Sequence, residues 1–169
     1  MKIKVCGITR EEDIAELLLA GVDFIGFNFI KSSPRYIDIN WAVNIINKYN
    51  IQKKAVPLCE ISDLKTVHHK LKNLDLPFYQ IYKVHDSSNQ IEKFNLNYFL
   101  PTSATKLKQN IDNNLFIGNK DKYLLDNFDH GLGGSGIKFN WNDLANIKLD
   151  NCMIAVSYTH LTLPTSPKV

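Results

Sequence analysis

The sequence of 169 residues lacks the features that mark several large classes of protein. No apolar run approaches the roughly 20 residues that a membrane-spanning helix needs, so we expect no membrane partner. The opening residues Met1–Gly7 contain no hydrophobic segment of a secretory signal, and we therefore expect a cytoplasmic location. The three cysteines, Cys6, Cys59 and Cys152, are odd in number and far apart, which is typical of neither a disulfide framework nor a zinc site.

An excess of charge of one sign is also missing. The 20 lysines and arginines oppose 17 acidic residues, a net charge of +3, and the basic side chains are scattered among the acids, so we expect no nucleic-acid partner. The composition, 44% hydrophobic and 22% charged, is that of an ordinary globular domain. A chain of about 150 residues buries roughly 68–70% of its unfolded surface, which is enough for a core without disulfides or metals.

Short apolar runs alternate with stretches of helical periodicity along most of the chain. The continuous runs are typical of strands buried on both faces, and the periodic stretches predict helices between them. The predicted strands are Lys2–Cys6, Val22–Phe29, Lys54–Leu58, Phe78–Tyr82, Tyr98–Leu100, Tyr123–Asp126 and Cys152–Ala155. The clearest predicted helices are Glu11–Gly21, Asn40–Asn50, Ser62–Leu74 and Trp141–Ile147. Thr9, with Glu12 three residues later, predicts a capping box at the start of the first helix.

The alternation of strands and helices predicts βαβ units and a parallel sheet. A strand recurs roughly every 22 residues, close to the repeat of a small (β/α)8 barrel, so the predicted fold is α/β and of the TIM-barrel class. About six βα units and a seventh strand are present, so we expect an incomplete barrel. An open, doubly wound sheet has the same local pattern and stays as the alternative, although no Gly-x-Gly-x-x-Gly follows the first strand, as a dinucleotide fold would require.

The end of the chain differs from the rest in composition. Residues 156–169 contain no asparagine, isoleucine or acid, whereas the preceding residues are rich in asparagine and isoleucine. Residues 156–165 resemble the translation of a sequencing-library adapter, and a natural tail rich in Ser, Thr and Pro is the alternative. We therefore expect residues 1–155 to be a partial barrel domain, residues 156–169 to be a non-native tail, and the natural chain to continue differently after Ala155.

Two residues at strand ends are candidates for proton transfer. Cys6 closes the first strand before Gly7, where barrel enzymes carry catalytic groups, although a lone cysteine is more often a small buried hydrophobe. Strand alternation places Lys4 on the same side as Cys6, and a nearby ammonium would favour the thiolate. Asp126 ends the sixth strand, where it is either a turn cap or a general acid.

Two further features are candidates for binding an anion. Arg35 lies in the loop after the second strand, and its planar guanidinium suits a carboxylate, although surface arginines are often only solvated. The run Gly133–Gly136 leaves several backbone N–H groups free before the helix at Trp141, which is typical of an anion nest or of a flexible connection.

Six short motifs, spread along the chain in order, together point to one protein family. They are the segments Lys4–Thr9, Gly26–Phe29, Ser33–Tyr36, Leu124–Asp126, Gly133–Gly136 and Phe139–Trp141. Together they resemble phosphoribosylanthranilate isomerase, the barrel-enzyme family of tryptophan biosynthesis. The resemblance covers residues 1–155, and several separated motifs in order are more specific than any one of them.

The resemblance implies a cofactor-free Amadori rearrangement, in which N-(5-phosphoribosyl)anthranilate becomes 1-(2-carboxyphenylamino)-1-deoxyribulose 5-phosphate. Asp126 matches the general acid that opens the furanose ring, and Cys6 matches the general base that removes the C2′ proton. The substrate-binding residues would be Arg35, Gln80, Gly133 and Gly134. Arg35 would hold the anthranilate carboxylate. The implied partner is this small phosphosugar–anthranilate molecule, no metal is implied, and monomer and homodimer both stay open.

Three positions depart from the family pattern. Tyr82 stands in the fourth strand where the family has a histidine, Pro57 interrupts the third strand, and Ile137 stands where a lysine often follows the glycines.

The loops that bind phosphate in barrel enzymes would lie beyond Ala155, so we expect the 169-residue chain itself to be inactive. Two alternatives remain open: another phosphosugar barrel, such as an epimerase or aldolase, and a non-catalytic barrel that binds a phosphosugar.

Overall fold

The computed structural model describes residues 3–83, 91–103, 106–109, 123–125 and 152–154. The chain divides into two compact units, residues 1–99 and residues 100–169, and each is described by itself. Within the described ranges, no helix combines the length and the apolar character needed to cross a membrane.

The first unit alternates strands with helices. Its strands are β1 (Lys4–Cys6), β2 (Phe24–Asn28), β3 (Ala55–Glu60), β4 (Tyr79–Tyr82) and the first residues of β5 (Tyr98–Thr102). Its helices are α1 (Glu11–Leu19), α2 (Ile39–Lys48) and α3 (Leu64–Leu71), with a 3-10 turn at Ile61–Asp63 before α3. The predicted elements of this unit are confirmed, with bounds that differ by a few residues at most ends.

Each strand of the first unit pairs in parallel with the strand that follows it in the chain. The paired residues include Lys4↔Phe24 and Cys6↔Gly26 between β1 and β2, Leu58↔Gln80 between β3 and β4, and Tyr79↔Tyr98 between β4 and β5. Parallel neighbours of this kind require a crossover connection, which the intervening helices supply. The carboxyl ends of the strands therefore lie at one edge of the sheet.

The core of the first unit lies between the sheet and the three helices. Successive residues of β2 and β3 are buried, as expected when both faces of a parallel strand are covered. Helix α1 contributes Ile14, and the other two helices contribute one apolar stripe each: Ala42, Ile45 and Ile46 of α2, and Leu64, Val67 and Leu71 of α3. The spacing of three or four residues within these stripes is the one that places side chains on one helix face.

The predicted capping box at the start of α1 is wrong. The N-cap is Arg10 and not Thr9, and no side chain caps the helix. Arg10 instead forms an ion pair with Asp13 at 2.5 Å. Acidic residues fill the first turn, where a carboxylate interacts favourably with the positive end of the helix dipole. Charge therefore takes the place of the hydroxyl cap that Thr9 and Glu12 predicted.

Pro57 lies inside β3 without breaking its pairing with β2. The register passes through Phe27↔Pro57, and the carbonyls of Lys54 and Leu58 accept hydrogen bonds from β2 at 2.8 Å each. Even-numbered residues of β3 therefore direct their backbone groups towards β2, so the missing N–H of Pro57 faces β4. The register with β4 begins one residue later, at Leu58↔Gln80. The proline is tolerated because its absent donor falls before that paired stretch.

The second unit contains the last residues of β5 and two further strands, β6 (Tyr123–Leu125) and β7 (Cys152–Ile154). Both pairings are parallel, with Leu100↔Tyr123 and Leu124↔Met153 among the paired residues. Residues 106–109 are helical. The predicted helix at 141–147 lies outside the described residues.

Candidate functional site

The carboxyl ends of β1 and β2 bring Cys6 close to Arg35. Cys6 pairs with Gly26, and the amide of Gly7 donates a hydrogen bond to the Gly26 carbonyl at 3.1 Å. The two strands therefore stay paired up to the residue that follows the candidate base. Cys6 is half-buried and carries a free thiol.

Gly26 leaves the space that the Cys6 side chain occupies. A β-carbon at position 26 would lie 2.6 Å from Cys6 Sγ and 3.1 Å from Cys6 Cα. Real β-carbons essentially never approach another atom as closely as 2.6 Å, and the contact at 3.1 Å with the backbone is also unusually tight. The sulfur of Cys6 therefore lies directly against the β2 backbone, which fixes its direction.

Gly7 is the surface on which the Arg35 side chain lies. Its φ of +77° is in the left-handed region, which favours glycine. A β-carbon there would overlap Arg35 Cδ and lie 3.3 Å from Arg35 Nη1. The guanidinium therefore lies over the residue that directly follows Cys6. The structure brings together two of the predicted site residues that are distant in sequence.

The loop between β2 and α2 is held by side chains of its own. Asn28, the last residue of β2, accepts a hydrogen bond from the Ile30 amide at 2.9 Å and donates one to Ser33 Oγ at 2.9 Å. Ser33 Oγ also accepts from the Arg35 amide at 3.2 Å. At the far end, Asp38 caps α2 by accepting from the Asn40 amide at 2.8 Å. The sequence motif contains Asn28 and Ser33, but their contacts were not predicted.

Gln80 is buried near this edge of the sheet. It is 2% exposed, its Oε1 accepts a hydrogen bond from Lys4 Nζ, and its Nε2 donates one to the Tyr82 hydroxyl. Both ends of the amide are thus engaged by side chains. The contact from Lys4 shows that this lysine is directed towards β4. The substrate-binding role of Gln80 stays a prediction.

An ion pair joins the ends of β3 and β4. Lys83 Nζ lies 2.7 Å from Glu60 Oε1, and the Glu60 side chain is 18% exposed. Lys83 has a φ of +57°, which turns the chain away directly after the strand. Sequence reasoning missed this pair. The available signal was an acidic residue at the end of a buried apolar strand, the same pattern that singled out Asp126.

The two cysteines whose side chains are described have different surroundings. Cys59 of β3 is fully buried, and burial, with smaller contributions from Asp63 and Glu60, raises the pKa of its thiol to about 12. Burial and the neighbouring Cys59 likewise raise the pKa of Tyr79 to about 12. Both groups stay protonated and neutral in the core at neutral pH. Cys6, half-buried at the strand end, is the more accessible of these two thiols.

Three predicted site residues, Asp126, Gly133 and Gly134, lie outside the described residues. Asp126 directly follows Leu125, the last residue of β6. In the described part of the chain, no three His, Cys, Asp or Glu side chains are grouped so that they could hold a metal ion.

Residues 3–157 match the family described as N-(5'phosphoribosyl)anthranilate (PRA) isomerase. The tryptophan biosynthesis protein TrpCF of Buchnera aphidicola subsp. Baizongia pistaciae is 36% identical over 159 residues, which cover 90% of this chain and 32% of that protein. The N-(5'-phosphoribosyl)anthranilate isomerase of Trichlorobacter lovleyi is 33% identical over 144 residues, covering 83% of this chain and 68% of that protein. The chain thus spans about a third of the length of the TrpCF relative and about two thirds of the isomerase.

Solved structures show the fold. The phosphoribosyl anthranilate isomerase of Thermotoga maritima aligns with a TM-score of 0.64 at 22% identity, covering 85% of this chain and 70% of that one. TrpF from Jonesia denitrificans aligns with a TM-score of 0.66 at 22% identity, covering 92% and 74%. The predicted barrel class is confirmed over the doubly wound sheet, and the barrel is incomplete. The chain belongs to the N-(5'-phosphoribosyl)anthranilate isomerase family.

Proposed function

We propose that the complete protein carrying these residues is a phosphoribosylanthranilate isomerase. It would convert N-(5-phosphoribosyl)anthranilate into 1-(2-carboxyphenylamino)-1-deoxyribulose 5-phosphate, an aldose–ketose isomerisation that needs no cofactor. The observation that carries the proposal is the position of the Arg35 guanidinium over Gly7, directly beside the half-buried Cys6. Membership of the isomerase family supports the same reaction.

The substrate proposal draws on one solved relative in particular. A phosphoribosyl anthranilate isomerase with a TM-score of 0.57 to this chain was crystallised with reduced 1-(o-carboxyphenylamino)-1-deoxyribulose 5-phosphate. A ligand of that kind carries a carboxylate at one end and a phosphate at the other. Arg35 offers the planar, doubly donating group that suits the carboxylate. The glycines Gly133 and Gly134 are proposed to offer backbone N–H groups to the same anionic substrate, whose phosphate would be bound mainly by loops beyond Ala155.

Two residues move protons in the proposed reaction. Asp126 gives a proton to the furanose ring oxygen, the C1′–O bond breaks, and the electron pair of the anilino nitrogen forms an iminium. The Cys6 thiolate then removes the C2′ proton, and the electron pair of that C–H bond neutralises the iminium and leaves an enol. A proton then returns to C1′ and the enol hydroxyl loses its proton, which restores the protonated acid and the thiolate and yields the ketone, so the substrate and product have the same composition. Each such transfer typically contributes 10²–10⁴-fold to the rate.

The remaining predicted residue, Gln80, acts in this proposal through its neighbours. Its amide is bonded to Lys4 and to Tyr82, so it fixes the direction of both side chains at the edge of the sheet. Tyr82 stands where the family pattern has a histidine, and its hydroxyl supplies a polar group at that position. The proposal leaves open whether the protein is a monomer or a homodimer.

Steady-state kinetics of the complete gene product test this function. We expect turnover of phosphoribosylanthranilate, and a loss of kcat of at least about 10²-fold in Cys6→Ala and in Asp126→Asn. Cys59→Ala is the matched control, because it removes a thiol that is buried in the core, and we expect kcat near that of the unaltered protein. Full activity in Cys6→Ala would contradict the mechanism, and no turnover by the unaltered protein would favour a barrel that only binds a phosphosugar.

A further inference from the structure

Asn28 is a buried polar residue whose described hydrogen bonds all go to one loop. It is the last residue of β2 and is 9% exposed. Its side chain bonds to the Ile30 amide and to Ser33 Oγ, each at 2.9 Å, and its carbonyl accepts from the Ile37 amide at 2.9 Å. A buried amide that lost these partners would be left unsatisfied, so the strand end and the loop are tied together.

Ser33 carries this connection on to Arg35. The hydroxyl oxygen accepts from both the Asn28 amide group and the Arg35 backbone N–H, at 2.9 and 3.2 Å. Two backbone turns reinforce it, because the Ser33 amide donates to the Ile30 carbonyl at 2.9 Å and the Tyr36 amide donates to the Ser33 carbonyl at 3.1 Å. A continuous chain of hydrogen bonds therefore runs from the end of β2 to the backbone of Arg35.

The side chain of Arg35 packs over Gly7. Its Cδ and Nη1 lie over Gly7, where a β-carbon would not fit. The arginine is thus held at its backbone by Ser33, and its side chain lies along the glycine beside Cys6. A long side chain whose backbone is already held in place loses less conformational freedom when it binds a ligand, which improves binding without a new contact.

We propose that Asn28 is a positioning residue that fixes Arg35 for a substrate bearing a carboxylate, and so sets the preference for the anthranilate ring over rings without that group. This inference rests on the proposed isomerase function. It adds a statement about specificity, namely which aromatic ring on the substrate the protein prefers. Asn28 acts through Ser33 and Arg35 and does not itself touch the substrate. Loss of Asn28 therefore weakens recognition of the carboxylate and leaves proton transfer at Cys6 in place.

The test compares two substrates in the complete protein. One is N-(5-phosphoribosyl)anthranilate, and the other is the corresponding adduct of aniline, which lacks the carboxylate. In Asn28→Ala we expect KM for the anthranilate substrate to rise about tenfold with kcat nearly unchanged, since a uniform binding interaction is weakened. For the aniline adduct we expect kcat/KM to stay the same. Asn44→Ala, at an exposed asparagine of α2, is the matched control and should alter neither substrate.

A double-mutant cycle separates positioning from general destabilisation. If Asn28 acts through Arg35, the double variant Asn28→Ala/Arg35→Ala loses no more selectivity than Arg35→Ala alone. Additive losses, or an equal loss of kcat for both substrates, would overturn the proposal. Ser33→Ala and Ser33→Thr form a second pair in case Asn28→Ala fails to fold, because threonine keeps the bridging hydroxyl. We expect the alanine variant to lose selectivity and the threonine variant to retain it, and equal behaviour of the two would count against the bridge.

Failure of this inference is distinguishable from failure of the proposed function. If the unaltered protein does not turn over the anthranilate substrate, the proposed reaction is wrong, and the proposed substrate preference is wrong with it. Amide hydrogen exchange then decides whether the positioning chain itself exists. Faster exchange at Ile30 and Arg35 in Asn28→Ala supports the chain of hydrogen bonds, and unchanged exchange overturns it.

Discussion

The two ends of the sheet edge in the first unit differ in how their polar groups are used. At β1 and β2, the Cys6 thiol is free and the Arg35 guanidinium makes no ion pair within the part of the chain that the structure describes. At β3 and β4, Gln80 is bonded to Lys4 and Tyr82, and Glu60 is paired with Lys83. The β1–β2 corner keeps the Cys6 thiol and the Arg35 guanidinium available, whereas the polar groups at the ends of β3 and β4 are bonded to one another or to Lys4 of β1.

This difference indicates how one sheet edge supports both stability and chemistry. A side chain that forms a strong ion pair within the protein is not free to bind substrate. At the ends of β1 and β2, the positions of Cys6 and Arg35 depend on packing against glycines instead of on ion pairs. At the ends of β3 and β4, the polar side chains are instead held by hydrogen bonds and an ion pair. Substitutions at the two corners should therefore fail in different ways, the first in activity and the second in stability.

The largest effect that separates the corners is expected at Gly7. Gly7→Ala introduces a β-carbon that overlaps Arg35 Cδ, so we expect kcat/KM to fall at least about tenfold, the equivalent of about 1.4 kcal/mol. Gly21→Ala is the matched control, because Gly21 has a similar φ of +73° and nothing lies within 4 Å of its added β-carbon. Both variants should lose about 1–2 kcal/mol of folding free energy from backbone strain, measured by urea unfolding. An equal loss of activity in the two variants would show that contact with Arg35 does not matter.

An intermediate effect is expected at Gln80. Gln80→Leu removes the buried amide that bonds to the half-buried side chains of Lys4 and Tyr82, so the free energy of unfolding should fall by about 1–3 kcal/mol. Glu60→Gln is the comparison within the same corner, and its pair with the half-exposed Lys83 should be worth only about 0–1 kcal/mol. Urea denaturation at neutral pH measures both values. If Glu60→Gln lowered the free energy of unfolding as much as Gln80→Leu, the ion pair would stabilise the ends of β3 and β4 as much as the amide does.

The smallest effect at neutral pH, and one that grows with alkalinity, is expected in the core beneath the second corner. The pKa values of Cys59 and Tyr79 are raised to about 12 in the folded protein, from ordinary values of 9.0 and 10.0. Their neutral forms are favoured by folding, so this stability is fully present below pH 9 and is lost as the pH rises towards 12. Each group contributes a slope of up to about 1.4 kcal/mol per pH unit in its window.

Unfolding midpoints between pH 8 and pH 11 measure that slope. Tyr79→Phe should make the loss of stability above pH 10 shallower, and Tyr36→Phe, at an exposed tyrosine, should leave the slope unchanged. An identical slope in Tyr79→Phe and in the unaltered protein would mean that this hydroxyl ionises as easily folded as unfolded.

Patterns within one strand or helix were predictable from the sequence, and contacts between elements were less so. The apolar runs located β1 to β7, and the signal is most continuous in β2 and β3, where nearly every residue is buried. The N-cap of α1 was not predictable from Thr9, since the helix begins after Arg10, and no side chain caps it. Pro57 reads as a defect in the sequence, but the register shows that its missing donor falls outside the paired stretch with β4.

The candidate site divides along the same line. Cys6 and Arg35 were predictable as separate residues, because one closes a strand and the other follows a strand in a motif. Their proximity depends on Gly7 and Gly26, which matter only once β1 and β2 are in register. The bond from Lys4 to Gln80 joins residues that are 76 positions apart, and no local pattern predicts such a contact.

The loop from Asn28 to Asp38 closes most of its hydrogen bonds within itself. Its side-chain bonds run among Asn28, Ile30, Ser33 and Arg35, and Asp38 starts the next helix without help from the loop interior. Such a segment is a self-contained loop that is attached at a strand end, Asn28, and at a helix cap, Asp38. Exchanging it as one piece, with both anchors kept, is therefore the natural way to alter ring preference, while single exchanges inside it would break the bonds that give it shape.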